Sequence, residues 1–283
     1  AGDYLKASSN TGLPLVGVGL LYRQGYFRQF LNHEGYQQEA YPETDFYSLP
    51  LQRMRDTAGN EIRVTIRGAD GPIHAVVWKV LIGRVPLFLL DTNILENPPE
   101  QREITGRLYA AESKVRLAQE VLLGIGGMRA IRAMGIKSKI IHMNEGHCAF
   151  AGIERLIQLT EDHAIDLKTA TQIVPRTTVF TTHTPVAAGH DERVTTIEAA
   201  HRRPIATLQK LAHLFLGDRR RVPLCVRQAL LHRPGRLLPD QVIVLERSVR
   251  FNCCGHRVFA LPGFPDCHNE TFSSTLPSRS RAW

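Results

Sequence analysis

Several short apolar runs contain no alternating polar residues, and this pattern constrains the fold more than any other feature of the 283-residue chain. Residues 13–22, 85–90, 139–141 and 178–180 are β-prone runs of this kind. Strands that are buried on both faces lack the alternation of half-exposed strands, as in parallel sheets covered by helices. Residues 61–90 first alternate and turn at Gly68-Ala69-Asp70-Gly71, which predicts an antiparallel hairpin. The sequence therefore predicts a doubly wound α/β layer with an inserted antiparallel β segment.

Apolar residues recur at helical spacing over residues 112–134, and Gly124-Ile125-Gly126-Gly127 lies inside that segment. Three glycines would destabilise a helix interior by about 3 kcal/mol relative to alanine. The segment therefore predicts a bend or a close contact between helices. Further helices are predicted from about Glu145 to Ile157 and over about 163–173.

Two of the apolar runs end abruptly at clusters of polar side chains that contain histidine. The two segments are Ile141–His147, which includes Asn144-Glu145-Gly146-His147, and Phe180–Pro185, which includes Thr182-His183-Thr184. Ligands of open α/β sheets bind beyond the carboxyl ends of the strands, so these residues are candidate ligand contacts. Asn and His side chains both donate and accept hydrogen bonds, as the hydroxyls of a sugar require. The alternative that these residues only cap the next helices and satisfy backbone groups stays open.

Other site motifs are incomplete in this sequence. Neither Gly17-Val18-Gly19 nor the glycines at 124–127 complete the G-x-G-x-x-G motif of dinucleotide sites, and there is no Walker A loop or G-x-S-x-G motif. His142 and His147 are five residues apart, which does not place them on one helix face as in H-E-x-x-H zinc enzymes. The cysteines and histidines within 253–268 lack the spacing of a tetrahedral site, so no metal is predicted.

The charge of the chain is confined to its last third. Residues 1–193 contain 21 basic and 21 acidic residues, whereas 194–283 contain 14 basic and 6 acidic ones, which is the whole formal net charge of +8. Thirteen of those 14 basic residues are arginine, and four of the five cysteines lie there too. Because this tail lacks interleaved aromatic residues and helical charge faces, no nucleic-acid partner is predicted.

The cysteines have no regular spacing and do not suggest a disulfide framework, which favours a reducing, cytoplasmic location. No apolar stretch approaches 18 residues and no signal segment opens the chain, so no membrane association is predicted. The sequence begins in what reads as mid-helix, which favours a fragment of a longer chain.

Six segments of the chain, the polar clusters among them, resemble the α-glucan phosphorylases, which are the glycogen, starch and maltodextrin enzymes. The segments follow the family's order over residues 1 to about 193, where the resemblance ends. They are Ala1–Ala7, Gly17–Phe27, Asp91–Asn93, Gly124–Gly127, Asn144–His147 and Thr182–Val186.

This resemblance implies a glycosyltransferase of the two-domain GT-B type that converts α-1,4-glucan and phosphate reversibly to a shorter glucan and glucose 1-phosphate. It assigns the catalytic role to His183, whose side chain meets a sugar hydroxyl. It also implies substrate contacts, which are Asn144, Glu145, His147, Thr184 and Tyr109. Family members use pyridoxal phosphate bound to a lysine of the second domain, and many are homo-oligomers. That lysine is expected to be absent from this chain, so the chain alone is expected to lack phosphorolysis.

Tyr109 is expected in a gate loop, where this chain has Ala110-Ala111-Glu112 in place of the family's Gly-Gly-Asp. By this resemblance, residues 1–193 are interpreted as a partial N-terminal domain, a partial doubly wound Rossmann-like domain of the two-domain GT-B type. The unmatched, Arg-, Pro- and Cys-rich residues 194–283 are not expected to form an independent domain or to share a core with it. Their composition is typical of translation in the wrong frame; the alternative is a diverged C-terminal extension. A non-catalytic glucan-binding remnant is the second functional interpretation.

Overall fold

The computed structural model describes residues 2–68, 70–110, 112–181 and 241–245, which all belong to one compact unit. The strands of this part are β1 (Leu15–Leu20), β2 (Arg28–Leu31), β3 (Gln37–Ala40), β4 (Gln52–Arg53), β5 (Arg63–Gly68), β6 (Gly71–Ile82), β7 (Val85–Asp91), β8 (Ser138–Asn144), β9 (Thr178–Thr181) and β10 (Gln241–Leu245). The helices are α1 (Gly2–Thr11), α2 (Pro99–Arg102), α3 (Ser113–Val121), α4 (Gly127–Ala133), α5 (Phe150–His163) and α6 (Leu167–Arg176). No helix among the described residues has the length and apolar composition needed to cross a membrane.

One mixed sheet organises the described part of the chain. Its strand order is β4-β6-β7-β1-β10-β8-β9, and β5 pairs with β6 beside this path. The five strands from β7 to β9 in that order are parallel to one another, whereas β4, β5 and β6 form antiparallel pairs. The prediction of an α/β fold with an antiparallel segment is confirmed at this level.

The central strand β1 is buried along its whole length because both faces of the sheet are covered. Val16, Val18 and Leu20 pack in a core with residues from α4 and α5, while Leu15 packs in a second core with Leu5 of α1. Successive side chains of a strand point to opposite faces, so an apolar residue is needed at nearly every position. This explains the absence of alternation in the sequence.

The glycine-rich segment is a bend held in close contact with another helix, as predicted. Leu122–Gly126 is π-helical and joins α3 to α4. A Cβ at Gly124 would lie 2.6 Å from the backbone nitrogen of Ala151 in α5. Only glycine allows the two helices to approach this closely.

Two predicted helices begin later than expected. The helix predicted from Glu145 begins at Phe150, because Glu145 has a positive φ of 65° and a 3₁₀ turn, Gly146–Cys148, intervenes. The helix predicted over 163–173 is α6, whose first residue follows the cap Asp166; the Asp166 carboxylate accepts a 2.8 Å hydrogen bond from the backbone nitrogen of Thr169. Ala164, with a φ of 51°, ends α5 and separates the two helices.

Strand β10 corrects one expectation. Residues 194–283 were not expected to share a core with the rest, yet β10 pairs in parallel with β1 on one side and β8 on the other. Ile243, Val244 and Leu245 are fully buried there. The run Val242-Ile243-Val244-Leu245 consists of β-branched residues and leucine, which suits a strand buried on both faces. The Arg-, Pro- and Cys-rich composition of the surrounding tail gave no sign of such a strand. The other residues of the tail lie outside the described part.

Candidate functional site

The candidate residues lie at one edge of the sheet because the parallel strands end there together. Leu20, Asp91, Asn144 and Thr181 are the last residues of β1, β7, β8 and β9. The segments that follow these four strands therefore leave the sheet on the same side. This carboxyl edge is where open α/β sheets bind ligands.

Asn144 and Glu145 are joined directly to the end of β9. Asn144 is paired with Thr181, and the backbone N–H of Glu145 donates a 2.8 Å hydrogen bond to the Thr181 carbonyl. Thr181 directly precedes Thr182 and His183 in the sequence. The ends of the two strands are thus held in a fixed relation by main-chain bonds.

A histidine that was not among the predicted contacts supports the same junction. His142 Nε2 and Thr181 Oγ1 are 2.8 Å apart, with the donor set by the tautomer. The ring of Tyr4, from α1, meets the His142 ring edge-on at a centroid distance of 5.2 Å. Burial raises the pKa of Tyr4, so its hydroxyl stays protonated and neutral at physiological pH. His142 thereby links α1, β8 and the last residue before the predicted catalytic segment.

Glu145 has a backbone conformation that favours glycine. Its φ of 65° and ψ of 167° lie in a region that L-residues rarely adopt, which stores about 1–3 kcal/mol of strain. This strained residue directly follows Asn144 and lies two residues before His147, and both of those side chains are half-buried. Strained non-glycine residues concentrate at ligand sites, where surrounding structure maintains them.

The turn that follows is anchored by Cys148. Its buried sulfur lies 3.2 Å from the carbonyl oxygen of Asn144 and 3.1 Å from that of Leu245, and the single S–H is shared between these two acceptors. His147 lies within this turn and is half-buried. Cys148 therefore connects the candidate site to β10 as well as to β8.

The end of β7 is fixed by a buried polar network. The Asp91 carboxylate accepts hydrogen bonds from Trp78 Nε1 at 3.1 Å and from the hydroxyl of Thr105 at 3.3 Å. The Thr92 N–H donates to Thr105 Oγ1 at 3.1 Å. Asn97 Nδ2 donates to the carbonyl of Thr92 at 2.7 Å. Buried networks of this kind hold a loop in one conformation when their members are satisfied.

The fixed loop leads to Tyr109. Arg23 binds both carboxylate oxygens of Glu103 at 2.7 Å, and Gln119 Nε2 donates to the carbonyls of Ile104 and Arg107. The Glu103 side chain raises the pKa of Arg23, which stays charged. Tyr109 itself is exposed and has a positive φ of 59°.

The structure brings Asn144, Glu145 and His147 together on one turn, and topology places Tyr109 in a loop at the same edge. His183 and Thr184 lie outside the described residues. The roles assigned to all six residues stay predictions. No group of acidic, histidine and cysteine side chains in the described ranges could hold a metal ion.

Sequence reasoning missed the residues that connect the candidate contacts. His142 and Thr181 lie within the two polar segments but were not assigned as contacts, and neither was the Asp91 carboxylate. Their roles arise from pairing between strands that are distant in sequence. A polar residue at the last position of a buried strand is the signal that could have identified Thr181 and Asp91.

The chain is similar to several curated phosphorylases. It is 44% identical over 226 residues to a glycogen phosphorylase of Mycobacterium tuberculosis. It is 41% identical over 216 residues to a maltodextrin phosphorylase of Thermococcus litoralis, and 34% identical over 186 residues to a glycogen phosphorylase of Aquifex aeolicus. No family model matches the chain.

These matches cover most of the chain but only a part of each relative. The mycobacterial match covers 78% of the chain, which is more than residues 1–193 make up, so the family resemblance continues past residue 193. The chain spans about a quarter of the length of the curated relatives that it matches. On this similarity, the chain belongs, as a segment, to the glycogen and maltodextrin phosphorylase family.

Proposed function

We propose that this chain is part of an enzyme that carries out reversible phosphorolysis of α-1,4-glucans, and that the carboxyl edge of its sheet contributes one wall of the sugar site. The observation that supports this most is the junction of Asn144 and Glu145 with Thr181. It fixes Thr181, two residues before His183 in the sequence, against the β8 turn, in a chain 44% identical to a glycogen phosphorylase.

The side chains at this edge suit a neutral polyhydroxylated ligand. The Asn144 amide donates and accepts, the Glu145 carboxylate accepts, and the His147 ring can do either according to its tautomer. In phosphorolysis a phosphate oxygen bonds to the anomeric carbon, the glycosidic bond breaks, and a proton passes to the departing sugar oxygen. We assign His183 a hydrogen bond to a hydroxyl of the reacting glucosyl unit. Asn144, Glu145, His147, Thr184 and Tyr109 are assigned contacts to that unit or its neighbours.

Pyridoxal phosphate, which the resemblance implies, does not fit the residues at this edge. The described segments that follow β1, β7 and β8 contain no lysine at 21–27, 92–110 or 144–149 that could form a Schiff base. The family's lysine would belong to a second domain, in the GT-B arrangement that we propose for the complete protein. No step is therefore assigned to the cofactor here.

A binding experiment tests the sugar site. Maltoheptaose titrated into the ¹⁵N-labelled chain should shift the amide signals of residues 144–147, whereas cellohexaose, with β-1,4 linkages, should not. Asn144→Ala should weaken the binding. Asn60→Ala, in the exposed turn at residues 56–60, is the matched control. Equal binding by both variants would contradict the site.

A kinetic experiment separates an enzyme segment from a non-catalytic remnant. The isolated chain should release no glucose 1-phosphate from glycogen and phosphate, with or without pyridoxal phosphate, because transition-state binding needs both walls of a cleft. The matching segment of the mycobacterial enzyme can then be replaced by the segment of this chain. An active chimera supports the enzyme; a folded chimera that binds glucan without phosphorolysis supports the remnant.

We retain residues 1–193 as the proposed partial N-terminal domain, with β10 as an added strand. Phosphate and glucose 1-phosphate are the proposed small-molecule partners, and homo-oligomer formation and a cytoplasmic location stay predictions.

A further inference from the structure

A buried histidine of β8 is bonded to the last residue of β9. His142 is 9% exposed and lies two positions before Asn144, so both side chains project from the same face of the sheet. Its Nε2 atom lies at hydrogen-bond distance, 2.8 Å, from Thr181 Oγ1. The bond therefore joins the strand that ends at Asn144 to the strand that precedes His183 in the sequence.

The position of His142 in the sheet would suit an apolar side chain. In register, His142 is paired with Val244 of β10 on one side and with Val179 of β9 on the other. Its two neighbours along β8 are buried as well. An imidazole in such a slot is less favourable than an aliphatic side chain unless it forms a hydrogen bond. The bond to Thr181 is what a histidine provides here and a valine or leucine would not.

Thr181 is held by β8 in two independent ways. The backbone N–H of Glu145 donates a 2.8 Å hydrogen bond to the Thr181 carbonyl, and His142 bonds to the Thr181 hydroxyl. The first bond locates the main chain of Thr181, and the second locates its side chain. Together they favour one orientation of the residue from which the chain continues to Thr182 and His183. Such control matters at a reaction site, where a displacement of about 1 Å can reduce the rate about 100-fold.

The imidazole ring of His142 is itself held by α1. The ring of Tyr4 meets it edge-on, with an interplanar angle of 85°. Aromatic rings prefer this arrangement because the positive edge of one ring meets the negative face of the other. The contact opposes rotation of the imidazole, so Nε2 stays directed at Thr181. Supporting side chains that are locked by packing hold a site in its productive geometry.

We propose that His142 is a positioning residue of the phosphorolysis site. By holding the Thr181 hydroxyl it sets the direction in which the chain leaves β9 toward His183, and it does not itself touch the sugar. This inference rests on the proposed function, since it takes His183 as a contact of the reacting glucosyl unit. A segment that is already directed loses less conformational freedom when glucan binds, so His142 increases glucan affinity.

Two substitutions separate positioning from packing. His142→Leu removes the hydrogen bond but suits the apolar slot, whereas His142→Gln offers an amide in place of Nε2. Maltoheptaose binding to the full 283-residue chain, followed by amide NMR, should weaken about 3- to 10-fold in His142→Leu, as expected for one lost hydrogen bond. His142→Gln should bind within about twofold of the wild type. The urea unfolding midpoint should nevertheless be no lower for His142→Leu than for His142→Gln. A residue that acts only through packing would rank the two variants in the same order by both measurements.

Double variants test the path through Thr181 to His183. Thr181→Val removes the hydroxyl at nearly constant shape and should weaken binding as much as His142→Leu, and combining the two should weaken it no further. In a His183→Ala background, His142→Leu should have no additional effect. His74 provides the matched control, because its Nδ1 atom lies 2.9 Å from Thr65 Oγ1 in the antiparallel segment. His74→Leu breaks the same kind of bond there and should leave maltoheptaose binding within about twofold.

The outcomes separate this inference from the proposed function. If His142→Leu binds maltoheptaose like the wild type while Asn144→Ala binds it more weakly, the positioning role is refuted and the sugar site stands. The role is also refuted if affinity follows the unfolding midpoint across the His142 variants, or if His142→Leu weakens binding equally with and without His183. If binding depends on His142 and His183 but not on Asn144, the role stands and the contact assigned to Asn144 is refuted. Absence of any maltoheptaose binding by the wild type refutes both.

Discussion

Replacing Glu145 by glycine should stabilise the fold, although glycine normally destabilises it. The φ of 65° and ψ of 167° at this position lie in a region that is open almost only to glycine. A single Glu145→Gly variant would confound two effects, since it removes a side chain as well as a Cβ. Glu145→Ala removes the side chain and keeps the Cβ. The difference between the two variants therefore excludes the side chain and contains only the backbone effects of glycine.

The expected difference follows from two opposing terms. Relief of the strain contributes about 1–3 kcal/mol to the free energy of unfolding. The greater freedom of glycine in the unfolded chain removes about 0.5–1 kcal/mol of it. Glu145→Gly should therefore be about 0.5–2 kcal/mol more stable than Glu145→Ala.

Urea unfolding followed by circular dichroism measures the difference as a shift in midpoint at constant m value. Ala149→Gly is the matched control, because Ala149 has an ordinary helical φ of −56°. Glycine should destabilise there by about 0.5–1 kcal/mol. If glycine is destabilising at position 145 as well as at position 149, the strain argument is refuted.

Three further predictions concern packing, the added strand and a helix cap. Gly124→Ala should destabilise the fold by about 1–3 kcal/mol, because its Cβ would overlap α5. Gly146→Ala is the control, since a Cβ there has open space around it and should change stability by less than about 0.5 kcal/mol. Urea unfolding midpoints compare the two variants, and equal effects would contradict the close contact at Gly124. Ile243→Ala should destabilise by about 2–5 kcal/mol if β10 is part of the core, and an unchanged midpoint would exclude that strand from the fold. Asp166→Ala should lower the melting temperature at pH 7. Hydrogen bonds from the side chain and backbone of Thr169 lower the pKa of Asp166, so its contribution is present above about pH 4 and lost as the pH falls further. Asp166→Asn keeps a cap without titrating, so the difference in melting temperature between the wild type and Asp166→Asn should change as the pH falls below about 4; a difference that stays constant from neutral to acidic pH would refute the assignment.

The parts of the fold that local sequence determines could be predicted. β1 and β7 are continuous apolar runs, and the contact at Gly124 follows from the low helix propensity of glycine. The exposed hairpin of β2 and β3 was not predicted, because its strands are short and polar and show no buried face.

The arrangement of the candidate site was less accessible from the sequence. Glu145 combines a positive φ with a main-chain bond to Thr181, which lies on another strand, and a glutamate in the sequence is no sign of either. The hydrogen bond between His142 and Thr181 similarly joins residues that are 39 positions apart. Such contacts follow from topology rather than from local preference.

The position of β10 has a consequence for synthesis of the chain. Cys148 and its partner Leu245 are 97 residues apart, and β1 pairs with β10 across an even longer stretch. Until the ribosome has released residue 245, the facing edges of β1 and β8 have no strand between them. Open edges of this kind pair with other chains, and distant parallel pairing is slow. The nascent chain should therefore depend on chaperones during the interval between synthesis of β8 and synthesis of β10.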